Sequence, residues 1–159
     1  MKTKNTQSGF SLIELLIVVT IIGIIASIAI PNLLATRRAA NEGAAVSAIR
    51  TIQSCEATYQ ATSGLGLYGT LNQLSVQTLT DQNLGSGSKS GYSFASTPSA
   101  PSVIPVTFYA TAVPQVTSGI GQTGTRRFGV TEDGVIHADS TALTPYADGN
   151  AVRSAPALN

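Results

Sequence analysis

Residues 9–36 read GFSLIELLIVVTIIGIIASIAIPNLLAT. One carboxylate, Glu14, stands near the start of this segment, and the 22 residues from Leu15 to Thr36 carry no charge. As a helix that rises about 1.5 Å per residue, the uncharged run would span roughly 33 Å, which matches the hydrocarbon core of a bilayer. A carboxylate at the edge of such a segment is costly in lipid and usually marks function, so it needs a partner. The segment therefore predicts a membrane helix whose acidic residue is neutralised by a cation, most simply one from another copy of the chain.

A polar leader with Lys2 and Lys4 precedes this segment and ends at Gly9. In an ordinary secretory signal the small residue of the cleavage site follows the apolar core. Here Gly9 comes first, so cleavage at Gly9 would remove the leader and keep the helix. The two lysines favour a cytoplasmic N-terminus. Arg37 and Arg38, just after the segment, argue weakly for the opposite orientation. We expect a cytoplasmic N-terminus because the leader arrangement outweighs this short basic pair.

The segment from Gly9 to Val19 resembles the cleavage and methylation site of type IV prepilins, a signature that also marks the pseudopilins of type II secretion. The close match extends to about Pro31, and beyond it only the layout of a helical spine and a small sheet domain is similar. The resemblance implies that a membrane aspartyl peptidase cuts between Gly9 and Phe10 and methylates the exposed Phe10 nitrogen. It also implies that Glu14 pairs with the Phe10 ammonium of a neighbouring subunit during assembly.

Gly23 and Pro31 interrupt the membrane segment, and both residue types weaken a helix. Pro31 matches the proline that kinks the spine of this family, and the helix near such a glycine and proline is often unwound in its filaments. The resemblance thus implies that these two residues let the helix bend or partly unwind as it leaves the lipid. A plain membrane anchor would explain the length of the segment but not Glu14, Gly23 or Pro31.

The chain divides into four expected segments: a leader at 1–9, a transmembrane and filament-core helix at 10–36, an amphipathic continuation of that helix at 37–61, and a globular sheet domain with exposed loops at 62–159. The continuation is predicted because apolar residues recur at three- and four-residue steps. They are Ala45, Ala48, Ile49, Ile52, Cys55 and Tyr59, with Ile49, Ile52 and Tyr59 expected to point inward. Arg38, Glu42, Arg50 and Glu56 are polar interruptions of the pattern.

Residues 62–159 predict an antiparallel sheet. Apolar and polar residues alternate between Pro105 and Pro114, which is typical of a half-buried strand. Asp133-Gly134 between two apolar runs predicts a hairpin turn. The expected strands lie at 92–95, 106–112, 126–131 and 135–138, and a short helix is expected within 70–84. The predicted fold class is α+β: a long N-terminal helical spine, membrane-spanning in its first half, packed on a small antiparallel sheet of three or four strands, the pilin fold.

Composition and motifs argue against several function classes. The formal net charge is +1 and only 11% of residues are charged, so no specific nucleic-acid partner is expected. The glycines of residues 64–69 follow a predicted helix rather than a strand, which does not fit a dinucleotide loop. With one histidine, His137, and one cysteine, Cys55, the sequence predicts neither an ordinary metal site nor a catalytic constellation. We expect no catalytic residue, metal or cofactor, with His137 half-exposed in a strand and Cys55 packed as a small apolar residue.

Two further groups of charged residues are expected to have structural rather than functional roles. Arg126 and Arg127 are too few for strong phosphate binding and are expected to be salt-bridged or solvated. Asp133, Asp139 and Asp148 are near the C-terminal region in which the major pseudopilins of type II secretion bind calcium, but their spacing fits no recognisable calcium loop. A well-formed calcium site near Asp139 to Asp148 would favour the pseudopilin.

The sequence thus predicts a structural subunit of a type IV pilus rather than an enzyme. We expect it to be held in the bacterial inner membrane by a single pass and then polymerised into an extracellular surface filament. The expected partners are other copies of the chain, the prepilin peptidase and methyltransferase, the pilus assembly platform and minor pilins. A pseudopilin of a type II secretion system and a membrane-anchored binding protein that never polymerises remain alternatives. Adhesion, motility, DNA uptake and electron transfer stay open, as does a major or minor role in the filament.

Overall fold

One long helix, α1, runs from Leu12 to Ala61. The computed structural model describes residues 9–141 and 143–158, and the chain divides into two compact units, the first ending at Thr36 and the second beginning at Arg37. The end of α1 agrees with the sequence prediction, whereas its expected start at Phe10 was two residues early. Ser11 caps the helix instead, because its Oγ accepts a hydrogen bond from the N–H of Ile13 at 3.3 Å. The expected leader at 1–9 lies outside the described residues except for Gly9.

The first unit exposes its apolar surface. Every leucine, isoleucine, valine and phenylalanine from Phe10 to Leu33 is more than half exposed. Four of its polar side chains are satisfied within the helix, since each donates to a backbone carbonyl three or four residues earlier: Thr20, Ser27, Asn32 and Thr36. Internal satisfaction of polar groups is what a segment in hydrocarbon requires. By length and composition, α1 is the one helix in the described part of the chain that could cross a membrane.

The second unit contains a five-stranded antiparallel sheet whose strands are neighbours in chain order. The strands are β1 (Ser88–Lys89), β2 (Tyr92–Pro98), β3 (Phe108–Pro114), β4 (Arg127–Thr131) and β5 (Ile136–Asp139). The three central strands are in register through Phe94, Ala112 and Phe128, with Ala112 opposite both phenylalanines. The predicted turn at Asp133-Gly134 is present, with Gly134 at φ +76° and its N–H bonded to the Thr131 carbonyl at 3.0 Å.

The expectation of three or four strands was wrong, because β1 was not foreseen. Ser90 and Gly91 both have positive φ, at 50° and 74°, and together form the two-residue turn that pairs Lys89 with Tyr92. The predicted bounds of β3 were also early. Pro114 is the last residue of that strand rather than a residue outside it, which a proline permits at the end of a strand.

The remaining helices are short: α2 (Leu71–Val76), α3 (Gln82–Gly85) and α4 (Gly149–Ser154). The single helix expected within 70–84 is therefore two helices. Thr78 adopts a positive φ of 55° and ends the first, and the Asp81 side chain caps the second by accepting from the Leu84 N–H at 2.9 Å. Helix α4 was not predicted, and its N-cap is Asp148.

The core of the second unit lies between the predicted apolar face of α1 and the sheet. Ile49 and Ile52 are fully buried, as expected, while Tyr59 is only partly buried at the margin of the core. The Tyr59 ring leaves no room for a side chain at position 64, since a Cβ on Gly64 would lie 2.8 Å from it. Other large buried side chains include Leu71, Leu74, Leu84, Tyr92, Phe94, Phe108, Phe128, Val130 and Ile136. This packing fixes the C-terminal part of α1 to the sheet.

Candidate functional site

The expected processing residues lie just before α1. Gly9 and Phe10 are exposed, and Phe10 has 92% of its surface accessible. A Cβ built on Gly9 would meet no atom of the described residues within 4 Å. Accessibility is a precondition for the predicted cleavage, and cleavage itself stays a prediction.

Glu14 lies in the first turn of α1 and caps its own helix. Its Oε2 accepts a hydrogen bond from the backbone N–H of Ser11 at 2.8 Å, while Ser11 Oγ accepts from Ile13. Serine followed three positions later by glutamate is the sequence signature of a capping box. The sequence contains this signal in Ser11-Leu12-Ile13-Glu14, and the cap could have been predicted from it. Glu14 therefore has a partner within the chain, and its predicted pairing with another subunit stays a prediction.

The two residues expected to give flexibility lie inside a continuous helix. Gly23 and Pro31 are both within α1, and nothing packs within 4 Å of a Cβ placed at Gly23. Pro31 removes one backbone donor from the helix, and glycine costs about 0.5–1 kcal/mol relative to alanine in a helix interior. The helix thus has two weak positions in its exposed apolar part, and their unwinding stays a prediction.

A carboxylate near the start of the second unit holds β4 to α1. Glu42 accepts from the N–H and the hydroxyl of Thr125, both at 2.7 Å, and forms an ion pair with Arg126 at 2.9 Å. Burial raises the pKa of the Glu42 carboxyl, but the hydrogen bonds from Thr125 and the Arg126 cation outweigh burial and lower the pKa overall. Arg126 is therefore salt-bridged, which is one of the two expectations for it.

Glu56 was expected to be a polar interruption of the helix face and is instead fully buried. Its carboxylate accepts from the Gly69 N–H at 2.8 Å and from Ser96 Oγ at 2.5 Å, which joins α1 to the loop before α2 and to β2. No cation in the described part of the chain forms an ion pair with it. Burial raises the pKa of Glu56, and the hydrogen bonds from Ser96 and Gly69 only partly oppose the rise. The sequence carried no signal that would distinguish this buried glutamate from a solvated one.

The C-terminal residues are fastened to the sheet. Arg127 bonds to Asp139 Oδ2 at 2.7 Å, and its guanidinium lies 4.0 Å from the ring centre of Tyr146. The other oxygen of Asp139 accepts from the N–H and hydroxyl of Thr141. The Thr141 hydrogen bonds and the Arg127 cation together lower the pKa of Asp139 to about 2. Both oxygens of this carboxylate are therefore occupied by protein donors.

The chain end continues the sheet along β5. The Ala138 N–H donates to the Pro156 carbonyl and the Leu158 N–H donates to the Ile136 carbonyl. His137 is buried, with 7% exposed, and its Nδ1 lies 2.6 Å from the Ala155 carbonyl. The expectation of a half-exposed histidine was wrong, because the last residues of the chain cover the edge strand that carries it.

The described residues bring together no group of three or more histidine, cysteine or acidic side chains that could hold a metal ion. Asp148 Oδ1 accepts from the Ala151 N–H and caps α4, so it does not converge with Asp139. Cys55 is buried, and its Sγ lies 2.9 Å from the Leu79 carbonyl. Burial, with a smaller effect from Glu56, raises the pKa of the Cys55 thiol and disfavours the reactive thiolate.

The N-terminal segment of the chain is similar to that of known proteins. Residues 4–30 match the family model described as the prokaryotic N-terminal methylation motif. This segment includes Gly9, Phe10 and Glu14. A type II secretion system core protein G and a type IV pilus component are among the proteins similar to the chain.

Relatives with this segment belong to two kinds of assembly. The chain is 41% identical over 51 residues to type II secretion system core protein G of Aeromonas hydrophila, and 41% identical over 54 residues to that of Vibrio cholerae. These matches cover 32% and 34% of this chain and 36% and 37% of the relatives. It is also 58% identical over 38 residues to the type IV wide pilus major component PilA4 of Thermus thermophilus, over 24% of this chain and 29% of the relative.

The chain therefore matches about a third of the length of these curated relatives, and their names describe components of a secretion system or of a pilus rather than enzymes. No solved structure matches the chain. Together with the long apolar helix and the antiparallel sheet, the match supports a pilin or pseudopilin and does not choose between them. The methylation motif and the apolar helix fit a chain that is anchored in a membrane.

Proposed function

We propose that this chain is a structural subunit of a type IV pilus. In this proposal a peptidase of the inner membrane cleaves between Gly9 and Phe10, the new Phe10 amine is methylated, and the subunit is then drawn from the membrane into a helical surface filament. The assembly platform, minor pilins and other copies of the chain are its partners. The observation that carries the proposal is the uncovered apolar surface from Phe10 to Leu33, which follows the methylation motif.

That apolar surface must be shielded from water both before and after assembly. About 25 cal/mol is gained for each Å² of apolar surface removed from water, so a helix with this exposure is unstable in water. Lipid covers it while the subunit is stored, and neighbouring spines would cover it in a filament. In the proposal, Glu14 aligns an incoming subunit through attraction to the Phe10 ammonium of its neighbour, while Gly23 and Pro31 let the helix adjust.

A pseudopilin of a type II secretion system is the second candidate, and the matches to core protein G favour it. The protein donors already bound to the Asp139 carboxylate favour the pilus instead. Calcium takes six to eight oxygen ligands, and in this chain Arg127 and Thr141 occupy the Asp139 carboxylate while Asp148 caps α4. A calcium ion would have to displace a guanidinium to reach Asp139.

The proposal is tested on fibres sheared from cells that express the chain. Mass spectrometry of the fibre protein should give Phe10 as the first residue, with one added methyl group, and electron cryo-microscopy should show a helical polymer of this chain. A Gly9 variant with a bulky side chain should leave uncleaved protein in the membrane. Processing without any sheared fibre would favour the membrane-anchored binding protein, and a mature protein that starts at Met1 would refute the proposal.

A further inference from the structure

The loop between β3 and β4 lies along the beginning of the helix in the second unit. Three side chains of α1 fasten it at 2.7 to 3.0 Å: Arg38 to Gln122, Asn41 to Thr123, and Glu42 to Thr125. As the chain is followed from Thr125 back to Gln122, its partner on the helix moves from Glu42 to Arg38. The loop therefore runs toward the N-terminal end of this part of α1, which is the end that continues into the apolar segment.

The tip of this loop carries an isoleucine that is 82% exposed, Ile120. It stands between two glycines, and Gly119 has a φ of +79°. The Gln122 N–H donates to the Gly119 carbonyl at 3.2 Å and closes the turn around Ile120. Because Gln122 is itself bonded to Arg38, the turn that holds Ile120 lies beside Arg38. The loop from residue 115 to 124 contains no carboxylate that an anionic lipid surface would repel.

Chain connectivity limits how far Arg38 can lie from the uncharged run. Arg38 follows Thr36, the last residue of that run, by two positions, so the two residues are at most about 7 Å apart. The headgroup layer adds roughly 5 Å or more to each side of the hydrocarbon core. An apolar side chain beside Arg38 therefore meets the headgroup layer, where the Arg37 and Arg38 cations can contact lipid phosphates.

We propose that the Ile120 loop tip inserts into the headgroup layer of the membrane that holds the unassembled subunit, so that the partner of this surface is a phospholipid bilayer. The inference rests on the proposed membrane-held state and adds to it. Insertion of Ile120 gives the second unit its own contact with the bilayer beside α1. When the subunit leaves the lipid, it must break this loop contact and also withdraw the apolar helix from the bilayer.

The chain contains no tryptophan, so a single introduced tryptophan reports on its own position. The full-length Ile120→Trp variant is reconstituted into phospholipid vesicles that contain both lipids brominated near the headgroup and lipids brominated near the ends of the acyl chains, and bromine quenches tryptophan emission on contact. Ile104→Trp is the matched control, because Ile104 is 90% exposed in the loop between β2 and β3. That loop joins the opposite end of β3, about 20 Å along the strand. Ile24→Trp, in the apolar segment, reports on the membrane-held state itself.

The proposal predicts that emission from Ile120→Trp is quenched several-fold more than emission from Ile104→Trp and lies at shorter wavelength, with Ile24→Trp also quenched. Quenching at Ile24→Trp with equal quenching at the two loop positions would overturn the inference and leave the proposed function standing. A blue shift at Ile120→Trp that grows with protein concentration but not with brominated lipid would assign the loop tip to a second copy and also overturn it. Absence of quenching at Ile24→Trp would overturn both proposals.

Discussion

Two glutamates of α1 show how the surroundings of a residue decide what a carboxylate does. Glu14 is exposed and caps the helix through Ser11, while Glu56 is buried and tied to Gly69 and Ser96. Glu14 could be singled out from the sequence because a charge beside a membrane-length apolar run is unusual. Glu56 could not, because one glutamate among apolar residues at helical spacing gives no indication of which donors the rest of the chain will bring to it.

Glu14→Gln separates the two roles that Glu14 can have. Glutamine can take the glutamate position of a capping box but carries no charge. If attraction to a neighbouring Phe10 ammonium drives assembly, Glu14→Gln should be cleaved normally and yield few or no sheared fibres, as Glu14→Ala should. The amount of processed subunit and of fibre is measured by immunoblotting of membrane and sheared fractions. Normal fibre yield from Glu14→Gln together with failure of Glu14→Ala would assign the role to capping and contradict the pairing mechanism.

Glu56→Gln should change how stability depends on pH. The folded state raises the pKa of Glu56, so the folded chain holds this proton more tightly than the unfolded chain. The stability that this group contributes is fully present below its unfolded pKa and is lost as pH rises through the folded pKa. Glutamine resembles the protonated form and has no such loss. The free energy of unfolding of Glu56→Gln relative to the native chain should therefore rise with pH in this window, by at most about 1.4 kcal/mol per pH unit.

This prediction is measured by denaturant unfolding of the two full-length proteins in the same detergent across acidic to neutral pH. The comparison is made as a difference because Glu42, Asp81, Asp133 and Asp139 have lowered pKa values and contribute the opposite pH dependence to both proteins. A difference that stays constant with pH would show that Glu56 titrates alike in the folded and unfolded chain.

Among the secondary-structure elements, those with a strong local pattern were predicted and those that depend on distant contacts were not. The helix end at Ala61, the alternating strand β3 and the turn at Asp133-Gly134 follow from periodicity and turn chemistry. Strand β1 has only two residues and exists because the Ser90-Gly91 turn brings it to β2. Helix α4 and the chain end have little pattern of their own and are held by contacts with β4 and β5, which no local pattern could reveal.

Gly129 allows α4 and the segment before it to approach the sheet closely. A Cβ at this position would lie 2.9 Å from Val152 Cγ1 and 3.0 Å from the ring of Tyr146. Gly129→Ala should therefore lower the free energy of unfolding by about 1–3 kcal/mol, as overpacking of a core does.

Gly43→Ala is the matched control in α1, where nothing packs within 4 Å of the added Cβ. It should raise the same free energy by about 0.5–1 kcal/mol, since alanine favours a helix more than glycine does. Equal effects of the two substitutions in urea or thermal unfolding would contradict the close approach at Gly129.

For the molecule as a whole, the sequence predicted the fold class, a long N-terminal helix with an antiparallel sheet. It did not predict the charge pairing that organises the second unit. Glu42, Asp139 and Glu132 each bind an arginine that lies far from them along the chain or across a strand pair. From the sequence, Arg126 and Arg127 could be expected only to be either salt-bridged or solvated, because the outcome depends on which carboxylate folding brings near.

Calcium should leave the stability of the whole chain unchanged, because Asp139 and Asp148 already bind donors of the protein. The thermal midpoint of the full-length protein in detergent should be the same with millimolar calcium as with a chelator. Magnesium at equal concentration controls for general salt effects. A midpoint that rises with calcium but not with magnesium would favour the pseudopilin over the pilus.

The structure of the two edges of the sheet affects whether neighbouring copies of the chain can pair through their sheets. Along β5 the last residues of the chain occupy the outward hydrogen-bonding groups, and on the other side β1 has only two residues while β2 ends at Pro98. Sheets with long open rims join to one another and precipitate. Many copies of this chain can therefore stand side by side at high density without their sheets fusing, so that growth of any ordered polymer is left to the apolar helices.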